Sequence, residues 1–336
     1  MRILVTGGAG FIGSHLTERL VARGHEIRVL DNLSSGRQEY LTAVFDRIEC
    51  IVGDIRDRGD CAFALRDRDA VVHLAAIASV PASVADPAGT HETNFGGTLA
   101  LLDTAAQKRI RRFVYASSAA VYGTSASPPV QEDSPAQPAS PYAADKLAGE
   151  HFLRFYAERF RLSGTALRFF NVYGPRQDPA SSYSGVISRF LGALRAGSPV
   201  TLFGDGRQTR DFVAVSDIAY CIDQVLGAAS GTFNIMNVGT GRESSLLDVL
   251  ALMERELARR VDCQFQPPRA GDITRSCADV GRLRRFGLSC DTPLGQGLAA
   301  LMRVAGVAVP RSVERGRQQG AIPFHNFAFA AKEVED

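Results

Sequence analysis

A tyrosine and a lysine with a spacing suited to acid–base chemistry stand near the middle of the chain, at Tyr142 and Lys146. Ser140 and Pro141 precede them and are typical of the cap and first turn of a helix. Residues four apart share a helix face, so we expect the Lys146 ammonium to lie near the Tyr142 phenol and lower its pKa. A phenol activated in this way can take a proton from an alcohol near neutral pH.

A serine pair supplies a hydroxyl that would orient such an alcohol. Ser117 and Ser118 stand at the end of a predicted strand, upstream of Tyr142. Ligands of open α/β sheets bind beyond the carboxyl ends of the strands. We therefore predict that Ser118 hydrogen-bonds the reacting hydroxyl and that Ser117 is a supporting or structural residue.

A glycine-rich turn, Gly7-x-x-Gly10-x-x-Gly13, follows the first predicted strand and opens a helix. Its glycines allow a tight turn and a close approach of pyrophosphate to the N–H groups of the helix terminus. Asp31 ends the second predicted strand, where a carboxylate accepts hydrogen bonds from an adenosine ribose and repels the extra phosphate of NADP. The pattern predicts NAD as the cofactor. A glycine turn followed by a surface carboxylate is the alternative.

A second carboxylate, Asp54, follows the third predicted strand. We expect it to hold the adenine amino group, with a helix N-cap as the alternative.

Strands that alternate with helices must position these residues. β-branched and apolar runs predict strands at 2–6, 26–31, 48–52, 70–75, 111–117 and 165–171, and helical periodicity lies between them, notably at 13–22, 91–107 and 141–160. Such alternation requires crossovers, and continuous apolar runs suit strands that are buried on both faces. The predicted fold class is α/β, a Rossmann doubly wound parallel sheet with a smaller C-terminal α/β substrate domain.

The regular spacing is lost after about residue 172. Further elements are predicted at 184–196, 199–203, 216–229, 233–238 and 244–259, and we assign them to the smaller part. We expect an NAD-binding domain at 1–171, a substrate domain at 172–305 whose segments can interleave with it, and a tail of unknown role at 306–336.

The composition excludes several classes of protein. The 336 residues carry a net charge of only +2, which argues against a nucleic-acid binder. Six cysteines without a CxxC pair argue against a zinc ribbon, and no metal site is predicted. There is no apolar stretch of spanning length and no signal-peptide pattern, so we expect a cytoplasmic protein with reduced thiols and no membrane partner.

Ordered motifs over residues 1–305 resemble the extended short-chain dehydrogenase/reductases, in the NAD-dependent epimerase/dehydratase family, and the UDP-hexose 4-epimerases in particular. The motifs are Thr6-Gly-Gly-Ala-Gly-Phe-Ile-Gly13, Asp31-Asn-Leu33, Gly53-Asp54-Ile55, His73-Leu-Ala-Ala76, Ser117-Ser118, Val121-Tyr-Gly123, Tyr142-x-x-x-Lys146, Asn171-Val-Tyr-Gly-Pro175 and Arg210-Asp-Phe212. The resemblance implies a tightly held NAD, a nucleotide-sugar substrate in the C-terminal domain and a role in supplying polysaccharide synthesis.

The resemblance also implies which residues bind the two ligands. Those implied for NAD are Gly7, Gly10, Phe11, Ile12, Gly13, Asp31, Asn32, Ser35, Gly36, Asp54, Ile55, Leu74, Ala75, Ala76, Tyr142, Lys146 and Phe169. Those implied for the UDP-sugar are Ser118 on the sugar, Asn171 on the diphosphate, Thr201 and Phe203 around uracil, Arg210 and Arg269 on phosphate, Asp272 on ribose, and Ser276. Surface salt bridges are the alternative for the two arginines.

The neighbours of Ser118 bear on the reaction. Dehydrating relatives carry an acid beside this position, whereas Ala119 and Ala120 follow it here. We therefore predict C4 epimerisation, in which Tyr142 takes the 4-hydroxyl proton, hydride passes to NAD, and the 4-keto sugar turns before the hydride returns. A 4,6-dehydratase or 4-keto reductase is one alternative, and a catalytically silent NAD-binding sensor or scaffold is another.

Ser276 bears on the choice of sugar, because relatives restricted to UDP-glucose and UDP-galactose can carry a bulky tyrosine at the matching position. A serine leaves space for a 2-acetamido group, and the segment Gln177-Asp-Pro179 is similar to the N-acetylated branch. We expect interconversion of UDP-GlcNAc and UDP-GalNAc, with a UDP-glucose 4-epimerase as the alternative.

The resemblance further implies a homodimer joined through the helices at about 91–107 and 142–160. The candidate contact residues are Leu99, Leu101, Leu102, Phe152, Phe155 and Tyr156, with packing inside the domain as the alternative for part of them.

Overall fold

A computed structural model describes residues 1–124, 126–177, 185–228, 233–268 and 272–307. Three of the sequence predictions fall outside these ranges: the phosphate contact of Arg269, the Asp178-Pro179 part of the 177–179 segment, and the tail from 308 onward.

Strands and helices alternate through the described residues. The strands are β1 (Arg2–Thr6), β2 (Glu26–Asp31), β3 (Ile48–Val52), β4 (Ala70–His73), β5 (Arg112–Ser118), β6 (Ser163–Phe169), β7 (Asn171–Tyr173), β8 (Val200–Phe203), β9 (Thr209–Arg210), β10 (Phe212–Ala214), β11 (Phe233–Val238), β12 (Ser244–Ser245) and β13 (Cys263–Gln266). The α-helices are α1 (Phe11–Ala22), α2 (Arg58–Ala64), α3 (Val80–Ala85), α4 (Pro87–His91), α5 (Gly97–Gln107), α6 (Pro141–Phe160), α7 (Val186–Ala196), α8 (Val215–Gly227), α9 (Leu246–Leu257), α10 (Gly281–Arg285) and α11 (Leu294–Val304).

Seven strands form one parallel sheet in the order β11-β6-β5-β4-β1-β2-β3. Alternate residues of β1 enter different cores: Val5 packs with Leu16 of α1 on one face, and Leu4 packs with Leu101 of α5 on the other. Burial on both faces explains the uninterrupted apolar runs of these strands. The predicted Rossmann-type α/β class is confirmed.

A smaller unit has its own core, made by α7, α9 and α11 around the two-stranded pair β8–β13. Phe190, Leu202, Val249 and Leu298 are among its buried side chains. The two-stranded pairs β7–β10 and β9–β12 join the chain segments that lead into it.

Two elements that were predicted in the smaller part, one strand and one helix, pack with the large sheet and its helices instead. The strand at 233–238 pairs with β6 as β11, and the helix α8 packs on α1, where Arg19 reaches Asp223 at 2.9 Å. The sequence prediction placed both elements in the smaller part because they come late in the chain. Without them, the β6 edge of the sheet and one side of α1 would be uncovered, and β11 and α8 cover these surfaces. Chain segments of the two units therefore interleave.

Two predicted elements are divided. The strand predicted to run through residue 171 ends at Phe169, because the Asn171 N–H donates to the Asp211 carbonyl and starts β7 beside β10. The helix predicted at 91–107 is α4 and α5 joined by a π-helical turn, Glu92–Gly96.

Three of the predicted dimer residues are corrected by their burial. Leu101 and Leu102 are fully buried in the core of the same chain, and Tyr156 is buried with its hydroxyl 3.5 Å from Asp103 Oδ1. The α5 face that carries Leu101 and Leu102 covers the sheet. The candidates with exposed or half-buried side chains are Leu99, Phe152 and Phe155.

Among the helices of the described ranges, none combines the length and apolarity that a bilayer crossing requires. All six cysteines lie in these ranges and are free thiols.

Candidate active site

A cavity of about 320 Å³ opens at the carboxyl ends of the strands β1, β2, β4, β5 and β6. It joins the glycine turn at one end to Ser118, Tyr142 and Lys146 at the other. The chain order scatters these groups, and the parallel sheet gathers them because every one of these strands ends at the same edge.

The glycine turn is packed so tightly that side chains are excluded. Gly7 has a φ of +68°, and a Cβ on it would lie 2.7 Å from the Ala75 nitrogen. A Cβ on Gly13 would lie 2.0 Å from the Gly7 carbonyl oxygen. The helix α1 then begins at Phe11, and its N-cap Gly10 has no side chain to satisfy the first N–H groups. A pyrophosphate fits this arrangement, since it would accept from the free N–H groups of the helix terminus.

Asp31 lies at the end of β2 and lines the cavity. Its Oδ2 accepts from the Ala9 N–H and its Oδ1 from the Leu33 N–H, each at 2.9 Å. Gly36 packs against this carboxylate, and a Cβ there would lie 2.7 Å from Asp31 Oδ1, so a larger residue would displace the Asp31 side chain. These bonds hold the carboxylate against the glycine turn, where it is placed to meet a ribose.

Asp54 lies between two residues that line the cavity, Gly53 and Ile55. Its carboxylate accepts from the Arg56 guanidinium at 2.8 and 3.0 Å and from the Asn32 amide at 3.1 Å. The hydrogen bonds from Arg56 lower the pKa of Asp54 to about 2. The N-cap alternative is wrong for Asp54, because the cap of α2 is Asp57.

The catalytic candidates meet as the spacing predicts. Ser140 caps α6 by accepting from the Ala143 N–H at 3.2 Å, and Tyr142 and Lys146 follow one turn apart. The Lys146 ammonium donates to the Ala116 carbonyl at 2.8 Å and lies 5.8 Å from the centroid of the Tyr142 ring.

Ser118 ends β5, and its Oγ accepts from the Ala120 N–H at 3.1 Å. Because Ser118 Oγ is the acceptor in that bond, its hydroxyl can still donate a proton. Ser118 also hydrogen-bonds the Tyr142 hydroxyl, which brings the two reactive oxygens together.

The electrostatics differ from the expectation for Tyr142. Burial raises the pKa of the Tyr142 phenol, and the hydrogen bond with Ser118 acts in the opposite direction without overcoming it. The lowering expected from Lys146 is not found. Burial also lowers the pKa of Lys146 to about 8, against the opposing effect of Asp145 and Glu150. Both shifts have one cause, which is that each group is deep in the protein and loses hydration when it is charged.

Some of the other residues predicted to bind the cofactor line the cavity, and the rest lie behind the residues that line it. Those that line the cavity are Ile12, Asn32, Ser35, Leu74, Ala75, Ala76 and Phe169, whereas Gly36 and Asp54 support lining residues. Ile77, Ala78 and Thr93 also line the cavity and belong to none of the sequence motifs. Asn94 holds their loop, because its side chain accepts from the Ile77 N–H at 2.7 Å and donates to the Ile77 carbonyl at 3.1 Å. No spacing rule marks such a contact between a loop and a π-helical turn.

Of the substrate candidates, Ser118 lines this cavity and Asn171 lies between two residues that line it, Phe170 and Val172. The others that the structure describes are not among the lining residues. Thr201 and Phe203 alternate along β8, which pairs with β13. Arg210 forms a salt bridge with Asp272 at 2.6 Å, so two residues assigned to different parts of the nucleotide bind each other. Asn171 lies at the start of β7 and is exposed.

Ser276 is half-buried and directly precedes a short bridge between Val130 and Ala278. The Val130 N–H donates to the Cys277 carbonyl, and the Asp279 N–H donates to the Val130 carbonyl, both at 2.9 Å. The bridge attaches the Ser276 segment to the chain that follows Ser118. Within the described ranges, no group of three or more His, Cys, Asp or Glu residues is arranged to hold a metal ion.

Comparisons with known proteins agree with this geometry. A model of the NAD dependent epimerase/dehydratase family matches residues 3–239. A UDP-glucose 4-epimerase of Mycolicibacterium smegmatis is 41% identical over 304 residues, which are 89% of this chain and 96% of that protein.

Two solved structures share the fold over most of their length. A UDP-N-acetylglucosamine 4-epimerase from Methanobrevibacter ruminantium, in complex with UDP-N-acetylmuramic acid, has a TM-score of 0.86 at 34% identity, covering 90% of this chain and 97% of its own. A Thermus thermophilus UDP-glucose 4-epimerase in complex with NAD has a TM-score of 0.84 at 38% identity, covering 92% of this chain and all of its own.

Proposed function

The chain belongs to the NAD-dependent epimerase/dehydratase family, and from that premise we propose that it is a UDP-hexose 4-epimerase that interconverts UDP-GlcNAc and UDP-GalNAc. One observation carries the proposal: a single cavity holds the dinucleotide turn together with Ser118, Tyr142 and Lys146. The relatives named UDP-glucose and UDP-N-acetylglucosamine 4-epimerases support the reaction at C4.

The residues of this chain divide the work. NAD, when bound, supplies the group that accepts a hydride from the sugar C4 and returns it. Ser118 donates its hydroxyl proton to the sugar O4 and holds O4 beside the Tyr142 oxygen, which in its phenolate form takes the O4 proton as general base and becomes the neutral phenol. Lys146 stays in place through its bond to the Ala116 carbonyl.

The return step uses the same phenol. Tyr142 carries the proton it took from O4 and returns it to O4 as general acid after the 4-keto sugar has turned about its phosphate linkage. The sugar must turn while the nucleotide stays bound, and the anchors that the family resemblance assigns to the nucleotide are Asn171, Arg210 and Asp272.

The catalytic end of the cavity has no carboxyl group among the described residues that line it, which favours epimerisation over dehydration. Asp31 is the one acidic residue that lines the cavity among the residues the structure describes, and it lies at the adenosine end. Ala119 and Ala120 follow Ser118, so no carboxyl group there can protonate a leaving hydroxyl. Incubation with UDP-GlcNAc followed by product NMR tests this: a lasting 4-keto-6-deoxy sugar would contradict the proposal.

The N-acetyl preference depends on Ser276. The proposal is supported by the small side chain at this half-buried position, next to the bridge that reaches the segment after Ser118. The test compares kcat/KM for UDP-Glc, UDP-Gal, UDP-GlcNAc, UDP-GalNAc and UDP-GlcA. We expect the two N-acetylated sugars to lead the panel, and equal or faster turnover of UDP-glucose would reject the preference.

A substitution separates the role of Ser276 from the general activity. We expect Ser276→Tyr to abolish turnover of the N-acetylated pair while turnover of UDP-glucose persists, because the ring would fill the space of a 2-acetamido group. Thr274→Tyr, at an exposed neighbouring position, is the matched control and should leave both activities intact. Retained N-acetyl activity in Ser276→Tyr would remove the assignment.

An aromatic patch on α6 whose members face solvent supports a homodimer, which we propose as the assembly. Phe152, Phe155 and Phe160 are 38%, 55% and 48% exposed, which is unusual for phenylalanine on a single helix. A second copy of the chain covers this patch in the proposed homodimer. Light scattering should give a dimer for the native protein and a monomer for Phe155→Asp, with Phe45→Asp, at an exposed phenylalanine elsewhere, still dimeric. A native monomer would contradict the assembly.

A further inference from the structure

A buried ion pair lies behind the catalytic residues and has no part in the reaction described above. Tyr142, Lys146 and Glu150 occupy successive positions four apart on α6, so they share one face of the helix. Glu150 meets Arg168 of β6, and both residues are almost fully buried. We call these two residues the Glu150–Arg168 pair.

The pair contacts the residue that precedes Ser118. Arg168 Nε donates to Glu150 Oε1 at 2.8 Å and Arg168 Nη2 donates to Glu150 Oε2 at 2.6 Å, which is the bidentate geometry of a strong pair. The Ser117 hydroxyl donates to Glu150 Oε1 at 2.5 Å. Ser117 directly precedes Ser118, so this bond ties the end of β5 to the face of α6 that carries Tyr142 and Lys146.

The other side of the pair reaches toward the substrate segment. Arg168 Nη1 donates to the Glu132 carbonyl at 3.0 Å, and Glu132 Oε1 accepts from the Asn237 N–H at 2.9 Å. The Asn237 amide donates to the Val130 carbonyl at 2.8 Å. Val130 is the residue whose bridge with Ala278 holds the Ser276 segment. One continuous set of hydrogen bonds thus runs from the catalytic strand to the segment assigned to the sugar.

A buried ion pair is poor evidence for a stabilising role, because desolvation of two charges offsets much of their attraction. This pair is instead arranged to fix positions, because Glu150 holds Ser117 at the end of β5 and Arg168 holds the Glu132 carbonyl in the chain that leads to the Ser276 segment. We propose that Glu150, held by Arg168, is a positioning residue that sets Ser118 against Tyr142 through Ser117. The role rests on the proposed epimerase reaction.

Two variants separate positioning from stability. Ser117→Ala removes only the hydroxyl that Glu150 holds, and we expect kcat to fall roughly tenfold with KM nearly unchanged, since small misplacements of a reacting group are costly. The double variant Glu150→Met with Arg168→Met replaces the pair with apolar side chains of similar length. Such replacements often preserve stability. We expect its thermal unfolding temperature to stay near that of the native protein while kcat falls roughly 10–100-fold.

The matched control is Asp223→Asn, which breaks a buried ion pair far from Ser118. Asp223 pairs with Arg19 at 2.9 Å and its side chain is 4% exposed. We expect this control to lower the unfolding temperature and leave kcat unchanged. A double variant that recovers the native kcat, or a Ser117→Ala enzyme with native kcat, would overturn the positioning role.

A readout that needs no turnover keeps this role distinct from the proposed reaction. Hydrogen–deuterium exchange of the segment 117–122 should quicken in Ser117→Ala and stay native in Asp223→Asn. If the native protein fails to epimerise any UDP-sugar, the proposed function is wrong, yet faster exchange would still support the tie to Ser118. Native exchange of this segment in Ser117→Ala would reject the tie whatever the activity.

Discussion

Burial of the charged Lys146 side chain destabilises the folded protein. A variant without this charge should therefore be more stable than the native protein, although it should lose activity. Its side chain is buried, and burial lowers its pKa from 10.5 to about 8. That difference corresponds to about 3 kcal/mol for keeping the ammonium charged in the fold at neutral pH. Lys146→Met keeps the length of the side chain and removes the charge.

The loss of one hydrogen bond offsets part of the stability that Lys146→Met gains by removing the charge. The ammonium donates to the Ala116 carbonyl at 2.8 Å, and losing that bond costs about 1 kcal/mol. Below pH 8 we therefore expect Lys146→Met to be more stable than the native protein by about 2 kcal/mol. Stability of the native protein rises between pH 8 and 10.5, because its unfolded state binds the proton more tightly there than its folded state does.

The two stability curves should consequently cross between pH 8 and 10.5, with the native protein the more stable above the crossing. The assay is thermal unfolding of both proteins at intervals from pH 6 to 10.5. At pH 7 we expect an increase in Tm of about 3 °C for the variant, together with loss of epimerase activity. Lys108→Met, at an exposed lysine, is the control and should show no crossing. Equal or lower stability of Lys146→Met at pH 7 would refute the reasoning from burial.

Two further predictions concern the cofactor turn and the base. Tyr142→Phe should lower kcat roughly 10²–10⁴-fold, as expected for loss of a general base, while Tyr220→Phe, at a half-exposed ring on α8, keeps the native rate; normal turnover in Tyr142→Phe would favour the sensor or scaffold alternative. Gly13→Ala should lose NAD binding in calorimetry, because its Cβ would lie 2.0 Å from a backbone oxygen, whereas Gly227→Ala meets no atom within 4 Å and should bind normally. Native NAD affinity in Gly13→Ala would contradict the close packing of the turn.

Local chemistry explains what the sequence predicted well. The strands β2, β3 and β11 and the helix α6 have the predicted bounds, because their apolar periods and their capping residues act within a few residues of the chain. The glycine turn and the pair Tyr142 and Lys146 were also predictable. Each depends on a short spacing along one element, and so does the position of Ser118 at the end of β5.

Contacts between segments that are distant along the chain could not be predicted from the sequence. Nothing in the spacing marks Arg210 as the partner of Asp272 or Asn94 as the clamp on Ile77. Glu150 extends the Tyr142 and Lys146 face by one more turn, so its orientation was predictable, but its partner on β6 was not.

The sequence by itself therefore determined the Rossmann-type sheet, the dinucleotide turn and the positions of the three residues that we propose as catalytic. Tertiary structure alone decided that β11 completes the large sheet, that Leu101 and Leu102 face the core, and that burial raises the pKa of Tyr142. The physical reason is range. Propensity, caps and helical spacing act over a few residues, whereas burial and desolvation depend on which distant segments pack together.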